Sequence, residues 1–247
     1  MTIKPFNSVV ESCRFADVFD HIYILNLPDR ADRRRDILRE LALAHFPSPG
    51  YHLALFPAIR TNDPAGFPSV GVRGCYLSHL AIFKDALRRQ FARILILEDD
   101  LRFSPLFTQH DALLAALAQK HTWHFAWFGH ILPPVHPPPL VPFLEPTSQP
   151  LITAHFYALD HTVLPPLIDF FEAILTRQPG DPAGGPMYND AACTLFRQKY
   201  PQYLTLIARP SLGHQRPSRS DIVPKWFDRQ PLLRQTAALL RRFKRSQ

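Results

Sequence analysis

Three consecutive carboxylates, Glu98-Asp99-Asp100, follow directly on the apolar run Ile94-Leu95-Ile96-Leu97. Acids so crowded repel one another unless something positive sits among them. A hard divalent cation shared with substrate phosphates is the simplest such partner. If the extended backbone continues to Asp100, Glu98 and Asp100 point to one side and Asp99 to the other. Two carboxylates on one side suit a metal that bridges a diphosphate and stabilises charge on a departing phosphate. The competing reading is a strand end dipping into solvent with its acids paired to arginines. Arg30, Arg33, Arg34 and Arg35 open an expected helix, where the dipole disfavours cations and a bound anion would remove the conflict. Local pairing of Asp29, Asp32 and Asp36 with these arginines is the alternative. His79 shares a helical face with Phe83 and Ala86 and reads as buried and hydrogen-bonded, while Ser78 reads as a helix cap. Asp190 and His214 are unremarkable taken alone.

These residues need elements to hold them. The apolar run ahead of Glu98 reads as a strand covered on both faces, and ligands in open α/β sheets bind beyond the carboxyl ends of such strands. A first strand is expected over 21–27 and a helix over 30–44, with Asp29 as its cap. The five prolines at 47, 49, 57, 64 and 68 make 47–70 mostly loop, with a short strand at 51–56. A second helix is expected from Gly74 to about Arg89. Beyond Asp100 the pattern predicts helix at 109–120, strand at 122–128, strand at 151–159, helix at 163–175, helix at 190–199, a short strand at 203–207 and a polar loop over 210–224. Eight prolines in 133–150 exclude helix and central strand there, so an extended loop is expected. Strands alternating with helices predict an α/β fold: one domain over 1–224, a mixed, mostly parallel sheet with helices on both faces.

Composition narrows the classes. The chain has 247 residues, 46% of them hydrophobic, and a net charge of +7. Seven basic residues and one acid lie in the tail 225–247, so the body is nearly neutral. That argues against a nucleic-acid surface on the body. The tail segment 231–245 is basic and amphipathic if helical, a pattern that suits an anionic bilayer surface; a helix packed on the domain is the alternative. No apolar stretch has the length of a membrane span, and the first residues lack the apolar core of a secretory signal. Cys13, Cys75 and Cys193 form no zinc or disulfide spacing, so a reducing cytoplasm is expected. P-loop, dinucleotide-fold, metalloprotease and serine-hydrolase patterns are absent from the sequence.

Three ordered segments carry a family likeness. Ile22-Tyr23-Ile24-Leu25-Asn26-Leu27 with Asp32-Arg33-Arg34, then Gly74-Cys75-Tyr76-Leu77-Ser78-His79, then Ile96-Leu97-Glu98-Asp99-Asp100 together resemble glycosyltransferase family 25, the bacterial lipooligosaccharide β-galactosyltransferases. Thr153-Ala154 with Tyr157, Asp190 and Ser220-Asp221-Ile222 extend the likeness thinly. The resemblance implies a GT-A-like fold, a UDP-sugar donor (typically UDP-galactose), a divalent metal (Mn²⁺ or Mg²⁺), a glycan or glycolipid acceptor and inversion at the anomeric carbon. On the same basis Glu98, Asp100 and His214 would hold the metal. Asn26, Arg33, Arg34, Ser78, His79 and Asp99 would serve the nucleotide-sugar, and Asp190 would be the general base. The expected setting is cytoplasmic, peripheral on the inner membrane. The Pro-rich 133–150, the strand ending His124-Phe125-Ala126-Trp127, and His155 depart from the family pattern. The other readings of the acidic edge are a metal-dependent phosphohydrolase or nucleotidyltransferase, and a non-catalytic nucleotide- or glycan-binding domain.

Overall fold

The computed structural model describes residues 15–216 except 47, 48, 51, 110, 120, 121, 135 and 138. The tail 225–247 and Ser220-Asp221-Ile222 lie outside the described residues. After a short helix α1 (Phe15–Val18), the chain runs β1 (His21–Asn26), α2 (Ala31–Leu43), β2 (Leu53–Pro57), α3 (Val70–Arg88) and β3 (Arg93–Glu98). There follow β4 (Leu101–Phe103), α4 (Asp111–Gln119), β5 (Phe125–Trp127), β6 (Phe143–Pro146), β7 (Phe156–Asp160), α5 (Leu164–Leu175), α6 (Asn189–Lys199), β8 (Thr205–Arg209) and β9 (Gly213–Gln215). Seven strands form one sheet in the order β2-β1-β3-β7-β5-β8-β6. β1 is parallel to β2 and β3, and β5 to β8, while β7 and β6 run against their neighbours. The sheet is therefore mixed, with most strands running one way, as expected.

Strand parity builds the two faces. Tyr23, Ile94, Ile96, Trp127, Tyr157 and Ile207 point into one core, shared with Tyr76 and Phe83 of α3, Phe171 of α5 and Phe196 of α6. Ile22, Ile24, Leu95, Leu97, Ala158 and Leu206 point into the other, with Ile37 and Leu41 of α2 and Leu113 and Leu117 of α4. The chain leaves β1 through α2 to β2 on one flank, then crosses through α3 to β3 on the other. The carboxyl ends of β1 and β3 thus flank a topological switch point, the place where open α/β sheets open a crevice.

Several expectations are corrected. Helix α2 starts after Arg30, not Asp29, and has no side-chain cap. Instead of capping it, Asp29 accepts from Arg60 at 2.7 Å. Helix α3 starts four residues before Gly74, capped by Ser69, whose Oγ accepts from the Val72 N–H. Ser78 is therefore no cap but sits mid-helix. The Pro-rich stretch does hold a strand, β6, which its prolines confine to the sheet edge. The expected strand at 151–159 begins only at Phe156. The loop 210–224 contributes β9, which pairs antiparallel with β4 in a separate two-stranded sheet. Ladders of three residues are too short to show a period.

Candidate active site

The same parity aims the acids. Glu98, in step with Ile94 and Ile96, faces α3; Asp99, in step with Leu95 and Leu97, faces α2. The strand ends at Glu98 and turns. Asp100 therefore does not follow Glu98, as continued extension would require, but lies 3.3 Å from Arg33 on the α2 side. Asp99 is held on both oxygens, by Asn26 Nδ2 at 2.7 Å and Arg33 at 2.8 Å. Glu98 Oε1 meets His79 Nε2 at 3.3 Å and the Cys75 thiol at 3.9 Å, and its Oε2 accepts from Gln215 Nε2 at 3.2 Å. The His79 ring is fully buried, and its Nδ1 lies 2.8 Å from the Tyr157 hydroxyl.

All three carboxylates line an open cleft of about 260 Å³ together with Arg33, Arg60 and Arg216. Arg216 clasps the acidic turn: its N–H donates to the Asp100 carbonyl and its guanidinium to the Asp99 carbonyl, each at 2.7 Å. Ser78 ties the cleft wall down, donating to Gly74 O at 2.6 Å and accepting from Ile59 N–H at 2.8 Å. Gly74 permits this approach, because a Cβ there would stand 2.5 Å from the Ile59 carbonyl oxygen.

Electrostatics separate the acids. Burial pushes the Asp100 carboxyl up to about 7, and the Glu98 and Asp99 charges add to that against Arg33 and Arg216. Burial also raises Asp99, only partly offset by Arg33 and Asn26. Glu98 is pushed up by burial too, but the His79 hydrogen bond and charge outweigh this and hold it below the usual range. Asp100 Oδ1 is buried without a hydrogen-bond partner among the described residues. An orphaned acid oxygen in a cleft that Glu98 also lines, with Arg33, Arg60 and Arg216 around it, fits a hard cation.

Not every expected residue arrives. Arg34 does not line the cleft and reaches back to Pro28 O at 3.5 Å. His214 is exposed on β9 opposite Arg102, and the alternation of the strand sends Gln215, not His214, to Glu98. Burial, together with the nearby Arg102 charge, lowers the His214 pKa. Asp190 opens α6 and accepts from Thr153 N–H at 2.8 Å, holding Thr153 at a φ of 75° in the left-handed region. Its charge is felt at Cys75, but it does not itself line the cleft. The sequence alone assigns no role to Cys75, Arg60, Tyr157, Gln215 or Arg216, although Cys75 and Tyr157 stand in the segments that carry the family likeness and Cys75 lies four residues before His79.

The mixed α/β sheet thus places a carboxylate–arginine cleft at its switch point. Residues 19–132 match the family model described as glycosyltransferase family 25 (LPS biosynthesis protein). A glycosyltransferase 25 family member of Anopheles gambiae is 30% identical over 44% of this chain and 21% of its own length. Procollagen galactosyltransferase 2 of Mus musculus is 30% identical over 43% of this chain and 20% of its own. The human inactive glycosyltransferase 25 family member 3 is 26% identical over 45% and 22%. Residues 19–132 are thus similar to glycosyltransferase family 25, and the match spans about a fifth of the length of these relatives. A solved glycosyltransferase involved in the glycosylation of the major capsid of PBCV-1 aligns over 77% of this chain and 82% of that one, at 14% identity and a TM-score of 0.44. Among the described residues no helix is long and apolar enough to cross a membrane.

Proposed function

We propose that this chain transfers a hexose, galactose first among candidates, from a UDP-sugar to a glycan or glycolipid acceptor with inversion. The observation that carries the reading is the Asp100 oxygen without a partner among the described residues, in the cleft that Glu98, Arg33 and Arg216 also line. Glu98 and Asp100 would hold a hard divalent cation, which when bound neutralises charge on the departing diphosphate. Arg33 and Arg60 would grip phosphate oxygens from the α2 side of the cleft and from the loop after β2. Asn26 and Arg33 keep Asp99 fixed so that the acidic turn does not collapse on itself. His79 and Gln215 orient Glu98. Asp190 would take the proton of the acceptor hydroxyl, with the backbone at Thr153 setting its direction.

The galactosyltransferase name of the mouse relative supports the sugar, and the family description supports a surface glycolipid acceptor. The basic tail, read from sequence, suits an anionic membrane surface where such an acceptor lies. The likeness to a relative named inactive favours a second reading, in which the domain binds donor without transfer. A thermal-shift screen of UDP-, GDP- and CMP-sugars, each with and without Mn²⁺, tests both. Stabilisation that needs a UDP-hexose and the cation together is expected. No stabilisation by any pair would overturn both readings; donor binding with no sugar transferred to any acceptor would select the second.

A further inference from the structure

Cys75 and His79 stand one helical turn apart on α3, so their side chains leave the same face, the one against the end of β3. Their sulfur and nitrogen both approach the same Glu98 oxygen, Oε1. The three donor atoms all lie within 4.8 Å of one another. A tetrahedral ion with sulfur at about 2.3 Å and nitrogen or oxygen at about 2.0–2.1 Å keeps its ligand atoms about 3.4–3.6 Å apart. The His79–Glu98 separation of 3.3 Å meets that spacing, and the Cys75–Glu98 separation of 3.9 Å exceeds it by a few tenths of an ångström.

The surroundings are those of a ligating histidine. Nδ1 of the buried ring is engaged by the Tyr157 hydroxyl at 2.8 Å, which fixes the ring with Nε2 toward Glu98. The far oxygen of Glu98 is held by Gln215. Cys75 and Glu98 line the cleft, so a fourth coordination position opens into it. Oxygen ligands alone serve a hard cation, whereas a thiolate, an imidazole and a carboxylate together select zinc-like ions.

We propose that Cys75, His79 and Glu98 form a second cation site, for a thiophilic divalent ion such as Zn²⁺, beside the hard-cation position at Asp100. Sulfur binds the ion as thiolate, so uptake of the ion releases a proton. An ion here draws on the same Glu98 carboxylate and adds positive charge beside Asp100, so zinc opposes binding of the hard cation. The site does not depend on sugar transfer and would exist in a non-catalytic domain.

The test is a Co²⁺ titration of the metal-free full chain, read by absorbance. A thiolate-to-cobalt charge-transfer band that saturates at one equivalent and is bleached by equimolar Zn²⁺ is expected. Cys75→Ser should abolish the band, while the double change Cys13→Ser, Cys193→Ser keeps it. Tyr157→Phe should weaken zinc binding by about 10–100-fold, an effect that loss of packing alone would not give. Should Cys75→Ser fail to fold, iodoacetamide labelling of the unaltered protein, mapped by mass spectrometry, replaces it: Zn²⁺ should protect Cys75. Absence of the band in the unaltered protein, its survival in Cys75→Ser, or Cys75 labelling indifferent to Zn²⁺ would overturn the proposal. Donor binding in the UDP-sugar screen is read separately, so either idea can fail alone.

Discussion

The half of the sheet built from β2, β1 and β3 and the half built from β7, β5, β8 and β6 solve different problems. The first is wholly parallel, lies within the matched segment 19–132 and delivers Asn26, Glu98, Asp99 and Asp100 from the ends of two adjacent strands. The second is mixed, includes β6 at an edge interrupted by proline, and supports the site with single side chains: Tyr157 behind His79, Asp190 at a helix start outside the cleft lining, and, within the lining, Gln215 at the end of β9 and Arg216 just after it. The first half fixes where charge sits; the second adjusts and closes it. Binding of a charged donor should then depend on the first half, and the fate of the acceptor on the second.

The largest effects should break the first half. Glu98→Ala and Asp100→Ala should each lower sugar transfer by about 10³-fold or more, the equivalent of the several kcal/mol a positioned cation supplies. Both should also lose cation-dependent donor binding in calorimetry. Asp190→Asn should lower kcat by about 10²–10⁴-fold, the usual worth of a general base, with donor affinity retained. If Asp190→Asn abolishes donor binding instead, the division between the halves fails.

Stability effects follow. Arg33 and Asp99 are 12% and 8% exposed at their side chains, so Arg33→Ala leaves two acids crowded without their shared partner. It should cost about 3 kcal/mol in urea unfolding, the low end for breaking a nearly buried pair. Asp100 gives a pH signature. With its folded pKa raised to about 7, the folded protein holds that proton more tightly than the unfolded chain does. The associated stability is fully present below about pH 4 and is lost as pH rises to about 7. Asp100→Asn should flatten that slope and raise Tm at pH 8, even as it abolishes transfer. The smallest effect belongs to Tyr76, whose hydroxyl donates to Phe171 O at 2.9 Å beneath α3 and α5, away from the cleft. Tyr76→Phe should cost about 1–2 kcal/mol and leave donor affinity unchanged.

The same contrast governs what the sequence reveals. Within β1 and β3, Ile22–Leu25 and Ile94–Leu97 are uninterrupted apolar runs because both faces of the strand are covered, and the strand bounds can be read almost to the residue. The start of α3 escapes because Val70–Gly74 holds two glycines just downstream of a proline-rich loop, and only the Ser69 cap marks it. In the second half β5 and β9 are three residues each, and β6 sits among prolines, so tertiary pairing rather than pattern decides them. The carboxylates were legible as a cluster of charge at a strand end. Their partners Gln215 and Arg216 were not, because a residue more than a hundred positions away leaves no local trace of the contact.

Diffraction from crystals grown with UDP and Mn²⁺, with data collected at the manganese edge, tests the central claim most directly. The account predicts one anomalous peak within coordination distance of Asp100 Oδ1 and a Glu98 oxygen, with diphosphate density between that peak and Arg33. A manganese peak elsewhere in the molecule, or ordered UDP that leaves Asp100 uncontacted, would contradict it.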